Sequence, residues 1–288
     1  MNIIVIANCH VQPLAYLLGL HPAIGEVISI PVHLIGTEHY DKPVKKIEEA
    51  SLEFYVLQFP GLVDGIIFSK DARLKFKKII NITNIYFMGF HPDCCYIGGM
   101  GVRVVSPLGD YHSKLCYLSF IKGYTVEKCF ELFNGGVFEV LGYNKQWEDS
   151  SNDLLRRDDG MEVKFAGEFL HLSEDLLTLL TFNHPTTLVF YKFVEKITDY
   201  LGLGRIPIPI EAAPNFLYNN AVWPVYSDLK FLGGAVSFNG YYFKSPDSSG
   251  RGILSLQQFI DSSYASYAKI GIENINKPYF HDFLLERV

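Results

Sequence analysis

The sequence predicts an α/β fold: a parallel sheet with flanking helices, followed by an additional helical C-terminal part. Three observations predict it. Asn2–Ala7 (NIIVIA) is a short β-branched apolar run, the pattern of a strand buried on both faces. Strand-like and helix-like patterns then alternate through residues 1–100. The segments joining the strand patterns are too long for hairpins, which favours helical crossovers and parallel pairing.

In chain order, Pro13 is expected to open a helix running to about Leu20, with Leu14, Leu17 and Leu18 on one face. Glu26–Val32 and Glu53–Gln58 read as the second and third strands. Lys70–Ile80 is basic and amphipathic and reads as a helix, and Asn84–Met88 reads as the fourth strand. From Tyr111 the pattern becomes helical. Tyr111–Lys122 and Thr125–Phe133 are separated by Gly123, and Val137–Arg157 is a longer candidate. Thr187–Leu201 is strongly periodic and stops at Gly202, and Ser255–Lys269 is a last helix. Arg205–Pro246 is rich in Pro, Gly and aromatic residues and reads as irregular or lid-like. There is no internal repeat and no linker-like composition. A sheet core over 1–110 and a helical and irregular region over 111–288 are therefore expected to pack as a single compact domain.

Composition narrows the function. Of 288 residues, 49% are hydrophobic and 15% aromatic, enough for a large core and incompatible with a disordered chain. The net charge of −6 argues against nucleic acid or an anionic membrane as a partner. Apolar runs are interrupted too early for a membrane span. Met1–Ala7 lacks a basic flank and is broken by Asn8-Cys9-His10, so no signal peptide is expected. The five cysteines, Cys9, Cys94, Cys95, Cys116 and Cys129, are odd in number and include an adjacent pair. That is a poor disulfide framework; it suggests reduced thiols and a cytoplasmic location. No CxxC pair occurs, so no metal site is expected.

Several short motifs carry candidate chemistry. Asn8-Cys9-His10 follows a strand and precedes a helix, where ligands bind in open α/β sheets. A helix N-terminus there favours a thiolate at Cys9, and backbone N–H groups with the Asn8 amide offer oxyanion donors. The alternative is a small buried thiol at a strand end. His91-Pro92-Asp93 follows the fourth strand candidate and reads either as a site in which His91 is a base or holds a ligand, or as a turn in which Asp93 bonds backbone N–H groups. Asn183-His184-Pro185 precedes a helix, whose dipole keeps His184 in the neutral form a general base needs. Asp110-Tyr111-His112-Ser113 opens another helix, with Asp110 as its expected N-cap. Arg156 and Arg157 suit phosphate, although exposed charge is commoner. Gly98-Gly99-Met100-Gly101 with Arg103 is glycine-rich but matches no nucleotide fingerprint. Cys116 and Cys129 lie in apolar helical patterns and are expected to be buried.

Taken in order, these motifs resemble the WcbI-type polysaccharide biosynthesis proteins. The resemblance rests on Ile4-Val5-Ile6-Ala7-Asn8-Cys9-His10 with Pro13-Leu14, on Tyr86-Phe87-Met88-Gly89-Phe90-His91-Pro92-Asp93, on Asp110-Tyr111-His112-Ser113 and on Phe182-Asn183-His184-Pro185. It covers about the first 200 residues. The family opens on Gly-Asn-Cys-Gln; here Ala7 stands for the Gly and His10 for the Gln. The resemblance implies binding of coenzyme A and O-acetyl transfer from acetyl-CoA to a sugar hydroxyl of a capsular or other surface polysaccharide. The Asn-Cys turn is also similar in placement to the nucleophile turn of SGNH-type esterases, an analogy of an SGNH/flavodoxin-like core.

Within that reading two routes fit. Cys9 accepts the acyl group and passes it on, or a histidine deprotonates the sugar hydroxyl for direct attack. His184 and His91 are the candidate bases, with Asp93 orienting one of them. Asn8, His10, His112, Arg103, Arg156 and Arg157 are the candidate coenzyme A contacts. A carbohydrate esterase and a non-catalytic protein binding a sugar or a partner through the aromatic C-terminal third are the alternatives.

Overall fold

The structure, a computed structural model, describes residues 1–34, 54–59, 77–99, 102–229, 241–246, 252–271 and 275–288. They form two compact units, each assembled from separated stretches of chain. The first comprises Met1–Ile85, Asp153–Leu172 and His184–Phe216; the second comprises Tyr86–Asn152, Ser173–Asn183 and Leu217–Val288. The two units interleave along the chain.

The first unit is built on a four-stranded parallel sheet. Strands β1 (Asn2–Ala7), β2 (Val27–Pro31), β3 (Phe54–Gln58) and β4 (Lys78–Asn81) stand in the order β2-β1-β3-β4. The register pairs Ile3 with Val27 and with Tyr55, and Leu57 with Ile80. β1 is central, and its residues Ile3 to Ala7 are fully buried. Helix α1 (Val11–Gly19) follows β1 and buries Val11, Leu14, Leu17 and Leu18, which fall at helical spacing. It packs on β2 and on the helix Thr187–Tyr200. That helix buries Val189, Phe190, Phe193, Val194 and Ile197. It ends in a Schellman motif: Leu203 N–H donates to Thr198 O at 2.8 Å and Gly202 N–H to Asp199 O at 3.0 Å. Gly202 takes φ 72° there, a conformation that costs a side-chain-bearing residue energy.

The second unit is helical and aromatic. The helix Lys114–Ile121 is buried nearly all round, as its apolar sequence demands. It packs against the helix Leu256–Ile270. The latter begins with a capping box: Ser255 Oγ accepts from Gln258 N–H, and the Gln258 side chain accepts from Ser255 N–H. Strand Cys94–Tyr96 pairs antiparallel with Tyr111–Ser113.

Several expectations are corrected. The fourth strand is Lys78–Asn81, so the last part of the Lys70–Ile80 stretch is strand; residues 70–76 lie outside the described residues. The two lysines beside Ile79 and Ile80 imitate an amphipathic helix, but pairing with β3 decides the conformation. Asn84–Met88 forms no ladder: Phe87 N–H donates to Phe182 O and Met88 N–H to Ser150 Oγ. Tyr111–Ser113 is strand, and Ser113 rather than Asp110 caps the helix that follows, accepting from Cys116 N–H at 3.0 Å. The long candidate over 137–157 splits into Gly135–Val140 and Gln146–Asp158, because Gly142 at φ 76° breaks it. α1 starts at Val11 rather than Pro13, whose missing N–H is harmless in a first turn. The helix Ala166–Asp175 had no sequence expectation; Asp158 supports its start, accepting from Phe165 N–H at 3.0 Å and Ala166 N–H at 3.1 Å. Of Arg205–Pro246, the described part is largely irregular, and residues 230–240 lie outside the description.

Candidate functional site

With strand order β2-β1-β3-β4, the chain leaves β1 toward β2 on one side while β3 flanks it on the other. The carboxyl end of β1 is therefore the topological switch point, where open parallel sheets form their binding crevice. Asn8-Cys9-His10 occupies that point. The Asn8 side chain makes the turn: its Oδ1 accepts from His10 N–H at 3.1 Å, and its backbone carbonyl accepts from Val11 N–H at 3.1 Å. The Cys9 thiol leans 3.8 Å from Asn8 Oδ1. Asn8 Oδ1 is thus engaged locally, and Nδ2 is the donor that the side chain can still offer.

Cys9 is half-buried, whereas Cys94, Cys95, Cys116 and Cys129 are buried, and no disulfide joins any of the five. Burial pushes the Cys9 thiol from 9.0 up to about 12, against a smaller lowering by its backbone hydrogen bond. The expected thiolate is thus corrected. A helix dipole is worth about 0.3–1 kcal/mol for an exposed charge. The burial effect is on the order of 4 kcal/mol and wins.

His10 is fully buried, edge-on to Phe59 at 5.6 Å and to Phe190 at 5.4 Å between ring centroids. Its ring packs in the core of the first unit. His184 belongs to the same unit, three residues before the helix Thr187–Tyr200. Burial, with His10 as the nearby charge, holds its pKa down at about 3, so it is neutral at pH 7.

The remaining candidates sit in the second unit. His91 is buried; Nε2 lies 3.2 Å from Leu179 O, and burial lowers its pKa to about 4. Asp93 does not orient it. The Asp93 carboxylate is fully buried and accepts from Tyr143 Oη–H at 2.7 Å, Tyr226 Oη–H at 2.7 Å and Leu115 N–H at 3.0 Å. These partners account for both oxygens and make Asp93 a structural node. His112 is likewise a core histidine. Nε2 lies 2.8 Å from Val104 O and Nδ1 3.0 Å from Tyr267 Oη, so Nε2 donates and Nδ1 accepts in the neutral ring. Its side chain is fully buried.

The sequence over residues 2–205 matches the family of the polysaccharide biosynthesis enzyme WcbI. The chain belongs to the WcbI family. A solved WcbI structure superposes with a TM-score of 0.76 over 99% of this chain and 98% of that one, at 14% identity. It is described as a novel polysaccharide biosynthesis enzyme, in its native form without a disulfide bond between coenzyme A and one of its cysteines. Comparison with the curated proteins finds no match.

In this WcbI-family chain the two helix arginines are already engaged. Arg156 and Arg157 both bind Asp153, at 2.6 Å and 2.8 Å, and Arg157 also donates to Asn84 O at 2.6 Å. Arg103 lies over the Tyr96 ring, 3.7 Å from its centroid. Sequence reasoning missed Tyr143 and Tyr226 as the partners of Asp93. It also missed Phe59 and Phe190 around His10. Their apolar patterns mark core positions, and only tertiary packing shows what they enclose. Among the described residues, no group of His, Cys, Asp and Glu is placed to hold a metal ion. No helix among them is long and apolar enough to cross a membrane.

Proposed function

We propose that the protein transfers an acyl group, acetyl in the simplest case, from a coenzyme A thioester to a sugar hydroxyl during polysaccharide biosynthesis. The observation that carries this reading is the placement of Asn8-Cys9-His10 at the switch point of the sheet, with Cys9 the most accessible of the five thiols. Membership of a polysaccharide biosynthesis family supports the acceptor class, and the coenzyme A named for the WcbI structure supports the donor. The half-buried thiol and the Asn8 Nδ2 donor suit the thioester end of such a ligand.

When bound as a thioester, coenzyme A supplies the acyl group and a sulfur leaving group. Neutral His184 takes the proton from the sugar hydroxyl as its oxygen bonds to the acyl carbon. Asn8 Nδ2 donates to the oxyanion that develops. His184 returns its proton to the sulfur as the carbon–sulfur bond breaks, so protons balance. Cys9, held neutral, lines the thiol end. The reading is of direct transfer, without an acyl-Cys9 relay. His91 and Asp93 act in this reading as supports of the second unit.

Calorimetric titration with coenzyme A tests the donor: saturable heat is expected, and its absence at millimolar ligand with folded protein overturns the reading. Replacing His184→Gln should lower acyl transfer by roughly 10²–10⁴-fold while leaving coenzyme A affinity nearly unchanged. An equal loss of affinity would remove it from the role of base.

A further inference from the structure

The second unit carries a cleft of about 450 Å³, within the size range of small-molecule sites. Its walls include Tyr86, Tyr96, Phe182, Asn276, Lys277 and Tyr279. The floor is stiff. Phe182 is buried and packs against Tyr86 and Tyr96 at 5.1 and 4.9 Å between centroids. Asn183 fixes two hydroxyls there, donating to Tyr96 Oη at 2.9 Å and accepting from Tyr111 Oη at 2.7 Å. The rim is different in kind. Tyr279 is 80% exposed and Tyr86 39%, so large aromatic faces stand in water. Two cations accompany them. The Arg103 guanidinium lies over Tyr96. Among the described residues Lys277 pairs with Asp282 at 3.8 Å, and both side chains are mostly exposed; such a pair is worth about 0–1 kcal/mol and yields readily to a better anion.

We infer that this cleft binds an anionic sugar: a pyranose whose C–H face lies on Tyr86 and Tyr279, with a carboxylate or phosphate substituent on Lys277 and Arg103. A pyranose has one apolar face and a ring of hydroxyls. Exposed tyrosines meet both, supplying an apolar plane and a hydroxyl, and the Asn276 amide adds a donor and an acceptor. The charge argument is local. In a chain of net charge −6, a guanidinium and an ammonium beside one aromatic cleft select for an anion. A role for that sugar as acyl acceptor rests on the function proposed above; its binding does not.

The experiment is saturation-transfer NMR on the full chain with methyl β-glucuronide, glucose 6-phosphate, methyl β-glucoside and adenosine monophosphate. Both anionic sugars should bind at least about threefold more tightly than the neutral glucoside, an increment in the range of an exposed charge pair. Lys277→Ala should erase that preference while leaving the glucoside unchanged. Tyr279→Ala should weaken all three sugars by roughly fivefold or more, a loss expected for an exposed aromatic platform. Both side chains are surface-exposed, so folding is not at stake. Equal binding of neutral and anionic sugars, or no effect of Tyr279→Ala, overturns the inference. So does displacement of the sugars by adenosine monophosphate, which would make the cleft a nucleotide subsite. Running the coenzyme A titration on the same samples separates the two ideas, because sugar binding without coenzyme A binding defeats only the acyl-transfer reading.

Discussion

Cys9 is accessible without being ionised, and those two properties make different predictions. Access ranks it first among the five thiols for alkylation, since the others are buried. Ionisation makes that first reaction slow. With its pKa near 12, its thiolate fraction at pH 8 is lower than that of an ordinary cysteine by roughly a factor of 10³. Iodoacetamide labelling followed by peptide mass should therefore find Cys9 modified first, yet far more slowly than a small thiol. Rapid labelling at pH 7 would mean that the helix N-terminus, not burial, governs the thiol. Asp93 tests burial of another kind. Asp93→Ala strands two tyrosine hydroxyls and an N–H in the core, and each such group costs about 1–3 kcal/mol. Urea denaturation should show a loss of at least about 3 kcal/mol. Tyr226→Phe, which removes one donor of three, should cost about 1–2 kcal/mol.

At the scale of elements, what the sequence shows depends on whether local chemistry or distant partners decide. β1, α1 and the helix Thr187–Tyr200 are legible because each carries its own periodicity and punctuation. NIIVIA needs burial on both faces, and Gly202 stands where the Schellman motif demands a positive φ. Gly202→Ala meets no neighbour within 4 Å and should still cost about 1–2 kcal/mol, from the backbone conformation alone. Gly202→Asn should cost less, and thermal denaturation of both variants measures the difference. Lys78–Asn81 and Asn84–Met88 are not legible, because both are short apolar runs and only one finds a strand to pair with. The turn at Asn8-Cys9-His10 could be read from its position. The identity of His112 as a core residue could not, since its partners Val104 and Tyr267 are chosen by the fold.

For the molecule as a whole, the buried histidines set the acid limit of stability. His91 and His112 are held near pKa 4 and His184 near 3, against an ordinary 6.5 in the unfolded chain. These folded values are depressed, so between pH 6.5 and 4 the unfolded chain binds protons that the folded one refuses. Stability therefore falls as pH drops through that window and is fully present above about 6.5. Each histidine contributes on the order of 2–3 kcal/mol of loss by pH 4.5. Unfolding near pH 5 should take up about three protons from this source, measurable from the pH dependence of the denaturation midpoint. A flat midpoint from pH 7 to 5 would contradict the buried, neutral state of these rings.

The interleaving of the two units bears on how the chain is made. α1 turns Leu14, Leu17 and Leu18 toward a core that the helix Thr187–Tyr200 completes, and the ribosome delivers that helix only after the long stretch between Gly19 and Thr187. During that interval the apolar face of α1 has no native cover, and the second unit still lacks Leu217–Val288. Neither unit can close as it emerges. Such late, long-range closure makes folding slow and leaves partly built sheets exposed to aggregation. Nascent chains halted near residue 110 should remain protease-sensitive, and protection of the N-terminal strand should appear only once residue 200 has cleared the exit tunnel.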